Sequence, residues 1–288
     1  MIVMRVLVTG ANGQLGSELV RLYNARSGDE VLGIDLPDLD ITSTESVAHT
    51  VSGFKPDVVI NCAAWTAVDA AEENEAAALL VNGEGPETLA AACRVTGAWL
   101  VQLSTDYVFS GEASSPYAED ATPDPRSAYG RTKLAGEEAV QSMLPDAHYI
   151  VRTAWLYGHE GNNFVKTMLR LESERETVDV VDDQIGQPTY AADLAAQIVA
   201  LVDARPAAGI FHGTNSGQVS WHGFTQEIFQ LIGADPDRVR AVTSEQFVRP
   251  APRPAYSVLG HARWAEVGLP EMRDWRAAIA EAMTRGFD

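Results

Sequence analysis

The first half of the chain alternates short apolar runs with amphipathic stretches. Between the runs, apolar residues recur three and four positions apart, the spacing of a helix that packs one face on a core. Strands that are buried on both faces of a parallel sheet are almost wholly apolar. The pattern therefore predicts an α/β fold with a doubly wound parallel sheet. The runs that we assign to strands are residues 5–9, 31–34, 57–61, 99–103 and 149–152.

A glycine-rich segment follows the first predicted strand at once, with glycines at positions 10, 13 and 16. Glycines let the backbone turn tightly and approach a pyrophosphate, which a helix N-terminus then stabilises. By itself the spacing G-x-x-G-x-x-G could be explained by a strand-to-helix turn that requires glycine. A strand before it and a helix after it, however, are typical of a dinucleotide site. The predicted cofactor-binding residues of this segment are Gly10, Asn12, Gly13, Gln14, Leu15 and Gly16.

Asp35 ends the second predicted strand, 19 residues after Gly16. A carboxylate at this place can accept hydrogen bonds from the adenosine ribose hydroxyls, and it would repel a 2′-phosphate. No Arg or Lys follows closely, which favours NADH over NADPH, although a solvated strand-end carboxylate is the alternative. Asp40 in the next loop is a further cofactor-binding candidate, and Thr42 with Glu45 predicts a capping box.

Small or hydroxyl-bearing residues follow the third and fourth predicted strands. Ala63 and Ala64 are small enough to let a flat cofactor lie against them. Ser104 and Thr105 stand where parallel strands open into the ligand crevice of such a sheet, although their plainer role would be to cap the next turn.

Tyr129 and Lys133 are four residues apart and share one face of a predicted helix, with Ser127 as its N-cap. An ammonium beside a phenol favours the phenolate, so we expect the pKa of Tyr129 to be lowered. Such a tyrosine can act as a general acid or base. Alone this spacing is weak evidence, since many surface helices carry such a pair.

Composition excludes several classes of function. The net charge of −19 and the pI of about 4.6 argue against a nucleic-acid partner. Two cysteines, Cys62 and Cys93, do not form a disulfide framework and are predicted to be small core residues. The six histidines are scattered, so no metal site is predicted.

The sequence also lacks features of membrane or secreted proteins. No stretch reaches the roughly 18 apolar residues that a membrane span needs. The N-terminal run over residues 1–8 is short and has no basic segment, so we expect a strand and not a signal peptide. The expected location is the cytoplasm.

In their order along the chain, the glycine loop, Asp35, the segment 61–64, the segment 104–107 and Tyr129 with Lys133 resemble the extended short-chain dehydrogenase/reductases. With the segments 61–69, 104–109 and 183–189 added, the chain is similar to the dTDP-4-dehydrorhamnose reductase family over nearly its whole length. The resemblance implies reduction of the C4 ketone of dTDP-4-dehydro-L-rhamnose to dTDP-L-rhamnose by NADPH or NADH.

The resemblance also implies roles for single residues. Tyr129 would be the proton donor, and Lys133 would tune it and hold the nicotinamide ribose. Thr105 would hydrogen-bond the substrate carbonyl and Trp155 would pack on the sugar. The implied substrate-binding residues are Thr105, Asp106, Trp155 and Arg253, the last in a segment similar to a substrate-covering loop.

Two alternatives stay open beside this reading. One is a related nucleotide-sugar 4-ketoreductase or epimerase, because pocket shape decides the stereochemistry. The other is a non-catalytic, dinucleotide-binding regulatory subunit, against which Thr105, Tyr129 and Lys133 argue. A homodimer is expected from the resemblance. Glu18 and Asp193 are acidic residues that could hold an interface Mg²⁺, although we do not predict one.

After residue 152 the alternation of strands and helices loosens. Helical patches at about 163–174, 191–203, 221–232 and 275–283 are joined by loops rich in Gly, Pro and Arg. The sequence shows no internal repeat and no low-complexity linker. We therefore predict a Rossmann domain over residues 1–160 with about 190–205, and a substrate-binding lobe over residues 161–189 and 206–288.

Overall fold

The computed structural model describes residues 4–287 and contains twelve strands within that range, most of them short. The strands are β1 (Arg5–Thr9), β2 (Glu30–Ile34), β3 (Val58–Asn61), β4 (Trp99–Thr105), β5 (His148–Thr153), β6 (Leu156–Tyr157), β7 (Val178–Val181), β8 (Ile185–Gly186), β9 (Thr189–Tyr190), β10 (Gly209–His212), β11 (Val219–Ser220) and β12 (Val239–Val242). The expected strand at the N-terminus begins at Arg5, and residues 1–3 and 288 lie outside the described range.

Eleven α-helices connect or follow these strands in the same range. They are α1 (Gln14–Asn24), α2 (Thr44–Phe54), α3 (Val68–Glu73), α4 (Glu75–Leu79), α5 (Gly85–Thr96), α6 (Ala128–Met143), α7 (Phe164–Glu174), α8 (Ala191–Ala204), α9 (Trp221–Leu231), α10 (Ala262–Glu266) and α11 (Trp275–Arg285). Across residues 4–287 no helix combines the length and the apolar character that crossing a bilayer requires.

Six of the strands form one parallel sheet in the order β10-β5-β4-β3-β1-β2. The predicted doubly wound parallel sheet is confirmed. The direction of winding reverses between β1 and β3, and in open α/β sheets ligands bind at such a switch point, beyond the carboxyl ends of the strands. The topology therefore places a crevice between the ends of β1 and β3.

Strand β10 was not predicted. It is four residues long, it starts with a glycine, and it ends in the polar His212. His212 is fully buried, and its Nδ1 hydrogen-bonds the Gly260 carbonyl at 2.9 Å. This partner is 48 residues away in sequence, so the local pattern gave no sign of a buried strand.

The two faces of the sheet are covered by different helices. Helices α1 and α8 pack on one face through Leu15, Leu19 and Ile198. Helices α2, α5 and α6 cover the other face. A separate apolar cluster joins α7, α9 and α11 to β7 and β12. The predicted domain bounds stay a prediction, but this cluster gives the C-terminal half a core of its own.

Two local details differ from or sharpen the expectations. Helix α2 is capped by Ser43, whose Oγ accepts the Ser46 N–H at 3.3 Å, so the predicted capping box of Thr42 and Glu45 is wrong. A π-helical turn, Leu80–Glu84, lies between α4 and α5. Gly136 of α6 packs on this turn so closely that a Cβ there would lie 2.2 Å from the carbonyl oxygen of Asn82.

A buried ion pair fastens α6 to the sheet. The guanidinium of Arg152 on β5 donates to both carboxylate oxygens of Glu137 on α6, with distances from 2.7 to 3.2 Å. The two side chains are 2% and 1% exposed. Removal of one partner would leave the other charge buried without compensation.

We expect Arg152→Met to lower the free energy of unfolding by about 3–5 kcal/mol, because Glu137 is then an uncompensated buried charge. Guanidinium denaturation measures this loss. The control is Arg170→Met, which breaks the exposed pair of Arg170 with Glu174 and should cost no more than about 0.5 kcal/mol. Equal losses in the two variants would contradict the prediction.

Candidate functional site

A cavity of about 590 Å³ lies at the carboxyl ends of the sheet strands, where the winding reverses. Its wall contains most of the residues that the sequence singled out, drawn from β1, β2, β3, β4 and α6. The predicted site residues that line it are Gly10, Gly13, Gln14, Leu15, Gly16, Asp35, Asp40, Ala63, Ala64, Thr105, Asp106, Tyr129, Lys133 and Trp155. Asn12 and Arg253 do not line this cavity.

Glycine is required at two points of the loop after β1. Gly10 has a φ of +63°, and a Cβ there would lie 2.6 Å from the Ala63 nitrogen. A Cβ on Gly16 would lie 2.2 Å from the Gly10 carbonyl oxygen. The loop is thus pressed against both the end of β3 and the start of α1, and a side chain at either position would push it apart.

The N-terminus of α1 opens on the cavity. Its N-cap is Gly13, which has no side chain to accept the first helical N–H groups. These groups have no carbonyl partner inside a helix, and together with the helix dipole they form an anion site. Helix α1 has no acidic residue in its first turn. Its end therefore suits the diphosphate of a dinucleotide, in a protein that is otherwise strongly acidic.

The carboxylates of Asp35 and Asp40 organise the loops beside this anion site. Asp35 accepts the backbone N–H of Leu36 at 2.8 Å and that of Asn12 at 3.1 Å. Asn12 thus contributes its backbone to the position of Asp35, although it is not part of the cavity wall. Asp40 accepts the N–H and the hydroxyl of Thr42 at 2.9 and 2.7 Å.

A chain of buried hydrogen bonds crosses the ends of three neighbouring strands and ends at Lys133. The hydroxyl of Thr9 donates to Asn61 at 2.6 Å, and Asn61 donates to Gln102 at 2.8 Å. Gln102 donates to the Leu103 carbonyl at 2.8 Å, and the Lys133 ammonium donates to the same oxygen at 2.6 Å. Burial lowers the pKa of Lys133 to about 8.

Tyr129 sits beside Thr105 at the base of the cavity. Burial raises the pKa of Tyr129 to about 12, while the neighbouring Thr105 hydroxyl acts in the opposite direction. The expectation that Lys133 lowers the pKa of Tyr129 is therefore wrong. Desolvation dominates the shift, and Lys133, whose ammonium donates to the Leu103 carbonyl, is not among the groups that lower this pKa.

Thr105 connects Tyr129 to a buried carboxyl group. Its hydroxyl donates to Asp106 Oδ1 at 3.0 Å and accepts the N–H of Tyr107 at 3.2 Å. Asp106 is 2% exposed. Burial raises its pKa to about 6, against hydrogen bonds from Ser257 and Thr105 that favour the charged form.

Trp155, which follows β5, forms a further part of the cavity wall. Its backbone has a φ of +46°, which is unusual for a bulky residue. Its ring stacks on Trp221 of α9 with centroids 3.5 Å apart, and it lies against Gly186, where a Cβ would be 2.6 Å from the ring. The segment around Gly186 thus packs against the Trp155 ring.

Arg253 lies beside the cavity and not in its wall. Its guanidinium pairs with Asp69 at 2.9 Å and donates to the Ala251 carbonyl at 3.0 Å. It lines a smaller neighbouring pocket of about 230 Å³, and Tyr107 lines both pockets. Arg253 therefore lies in the neighbouring pocket, which shares Tyr107 with the larger cavity.

Sequence reasoning missed part of the cavity wall. Leu36, Leu39 and Ile41 follow the end of β2, and their position after a parallel strand was the signal that could have found them. Gly161 and Asn162 had no such signal, because only folding brings the start of α7 to the glycine loop.

The cysteines and the acidic candidates for a metal have definite surroundings. Cys93 is buried as predicted, whereas Cys62 is only partly buried and lines the cavity.

Both oxygens of Asp193 accept hydrogen bonds from Arg273 at 2.8 Å, and Glu18 accepts from Arg21. Within residues 4–287 no group of three or more His, Cys, Asp or Glu side chains could hold a metal ion.

Comparisons with known proteins agree on one family. The model of the family described as RmlD substrate binding domain matches residues 4–286 of the chain. The chain is 55% identical to a dTDP-4-dehydrorhamnose reductase of Streptomyces griseus, with 96% of this chain and 92% of the relative covered. It is 53% identical to a dTDP-4-keto-6-deoxy-D-glucose reductase of Streptomyces niveus, with 96% of each covered.

The fold agrees with a solved structure of the same kind. The dTDP-4-dehydrorhamnose reductase of Bacillus anthracis, in complex with NADP, superposes with a TM-score of 0.95 at 40% identity. The superposition covers 99% of this chain and 100% of that one. The resemblance read from the motifs is confirmed, and the chain belongs to the RmlD substrate binding domain family of reductases.

Proposed function

We propose that this chain reduces the C4 ketone of dTDP-4-dehydro-L-rhamnose to dTDP-L-rhamnose with NADPH or NADH. The observation that carries the proposal is the meeting of Thr105, Tyr129 and Lys133 in one cavity with the glycine loop. A proton donor, a second hydroxyl and a dinucleotide-binding loop are the parts that a ketone reductase needs. The names of close relatives supply the substrate.

The residues present fit a nicotinamide dinucleotide. The uncapped N-terminus of α1 and the close approach of Gly10 to Ala63 would hold the diphosphate. Asp35 would receive the adenosine ribose and Lys133 the nicotinamide ribose. When bound, the nicotinamide supplies the hydride.

The protein residues then handle the charge and the proton at the C4 oxygen. Thr105 and Tyr129 direct hydroxyl groups at that oxygen as negative charge develops on it. Tyr129, neutral because its pKa is raised to about 12, gives its Oη proton to the new alcohol. Lys133 offsets the phenolate that remains, since opposite charges in a dry site attract strongly.

The remaining parts of the site would bind the sugar nucleotide. The Trp155 ring, fixed by its stack on Trp221, would pack on the sugar. Arg253 lines the small pocket, which shares Tyr107 with the large cavity. We propose that it leaves Asp69 to meet the diphosphate of the substrate.

The identity of 53% to a dTDP-4-keto-6-deoxy-D-glucose reductase favours a second candidate, a related nucleotide-sugar 4-ketoreductase.

The experiment that decides between the two candidates is a panel of dTDP-, UDP- and GDP-linked 4-keto sugars with each cofactor, with the products identified by NMR. Turnover of the dTDP-linked rhamnose precursor at the highest kcat/KM supports the first candidate. A preference for another keto sugar contradicts the first candidate and supports the second.

Two further expectations stay predictions. The homodimer rests on the resemblance alone. A cytoplasmic location agrees with two cysteines that are both free, as is usual where thiols are kept reduced.

We expect Tyr129→Phe to bind the cofactor normally and to lose turnover by a factor of about 10²–10⁴, the usual contribution of a general acid. NADPH absorbance during reduction of the 4-keto sugar measures the rate. Tyr149→Phe is the matched control, because the Tyr149 hydroxyl donates to the Pro206 carbonyl outside the cavity. Turnover of Tyr129→Phe at the rate of this control would rule out the assigned proton donor.

We expect Asp35→Asn to shift the ratio of kcat/KM values towards NADPH by on the order of tenfold, because a negative charge is removed beside the 2′-position while an acceptor oxygen is kept. Asp38→Asn makes the same charge change three residues away, outside the cavity wall, and should leave the ratio unchanged. The same ratio in both variants and the wild type would contradict this placement of Asp35.

A further inference from the structure

The hydroxyl of Thr105 lies between two hydrogen-bonding partners. Its Oγ1 accepts the N–H of Tyr107 at 3.2 Å and donates to Asp106 Oδ1 at 3.0 Å. A hydroxyl donates one proton and accepts through two lone pairs. The Tyr107 N–H can only donate, so it occupies one lone pair. Asp106 can engage either the remaining lone pair or the single proton.

The charge on Asp106 decides how these are shared. A carboxylate can only accept, so it takes the Thr105 proton. In that arrangement the Thr105 proton is engaged inside the protein and cannot be directed at a ketone oxygen.

A protonated Asp106 reverses this arrangement. The carboxylic acid can donate to one lone pair of Thr105 Oγ1, while the other lone pair accepts the Tyr107 N–H. The Thr105 proton is then free to turn towards the cavity that Thr105 and Tyr129 line.

We propose that Asp106 is a positioning residue that acts as a carboxylic acid, donating to Thr105 Oγ1 so that the Thr105 proton turns to the substrate C4 oxygen. This inference rests on the proposed ketone reduction. Asp106 keeps its proton throughout, so hydride and proton are still supplied as described for the reduction.

The surroundings of Asp106 favour its acid form. Its side chain is 2% exposed, and burial raises its pKa to about 6. The titratable groups that face it are Tyr107 on its own turn and Tyr129 on α6, and burial raises the pKa of both, so they stay neutral. Ser257 faces it with an uncharged hydroxyl, and Arg253, which faces Tyr107, is paired with Asp69.

The test is the pH profile of kcat/KM for reduction of the 4-keto sugar, measured from about pH 5 to pH 8. We expect the wild-type value to fall as pH rises through about 6, since kcat/KM reports groups of the free enzyme and the raised pKa of Asp106 marks where the acid is lost. Asp106→Asn has no carboxyl group to titrate, so its profile should lack this fall. A fall of the same midpoint in Asp106→Asn would overturn the proposal.

Ser257→Ala tests the same idea with the carboxyl group in place. It removes a hydrogen bond that lowers the pKa of Asp106, so the midpoint should move to higher pH. A midpoint that stays or moves down contradicts the proposal, whether or not Asp106→Asn folds. Failure of the wild type to reduce the 4-keto sugar would instead contradict the proposed function itself.

Discussion

The hydrogen bond from the Lys133 ammonium to the Leu103 carbonyl is the contact on which the site depends. The donor–acceptor distance is 2.6 Å and Lys133 is buried, so the bond connects α6 to the end of β4. A buried charge is costly unless it is hydrogen-bonded, and Gln102 holds the accepting strand in place by donating to the same oxygen. The register of α6, and with it the position of Tyr129 one turn earlier, follows from this contact.

Burial favours the neutral form of both Lys133 and Tyr129. It lowers the pKa of Lys133 to about 8 and raises that of Tyr129 to about 12. A dry site that disfavours isolated charge also strengthens any attraction between opposite charges that form within it. A neutral Tyr129 in a dry site agrees with the acid role that we propose for it, because it would keep its proton until a developing oxyanion offers a partner.

Segments that follow β5 complete the site. Trp155 is held in a left-handed backbone conformation by its stack on Trp221 and by the missing side chain at Gly186. The segment that carries Arg253 and Ser257 lies between Asp69 in α3 and Asp106 at the end of β4. The residues that we propose for cofactor chemistry and for substrate recognition thus meet at one strand end, although they come from parts of the chain more than 100 residues apart.

The sequence by itself determined the parts that depend on local order. Apolar runs predicted five of the six sheet strands, and the glycine loop and the spacing of Tyr129 and Lys133 were visible because each needs only neighbouring residues. Tertiary structure decided the rest. His212 became part of a buried strand through Gly260, Arg253 was drawn to Asp69, and desolvation reversed the expected pKa shift of Tyr129. Burial and long-range partners arise only when distant segments pack together, so a local pattern cannot encode them.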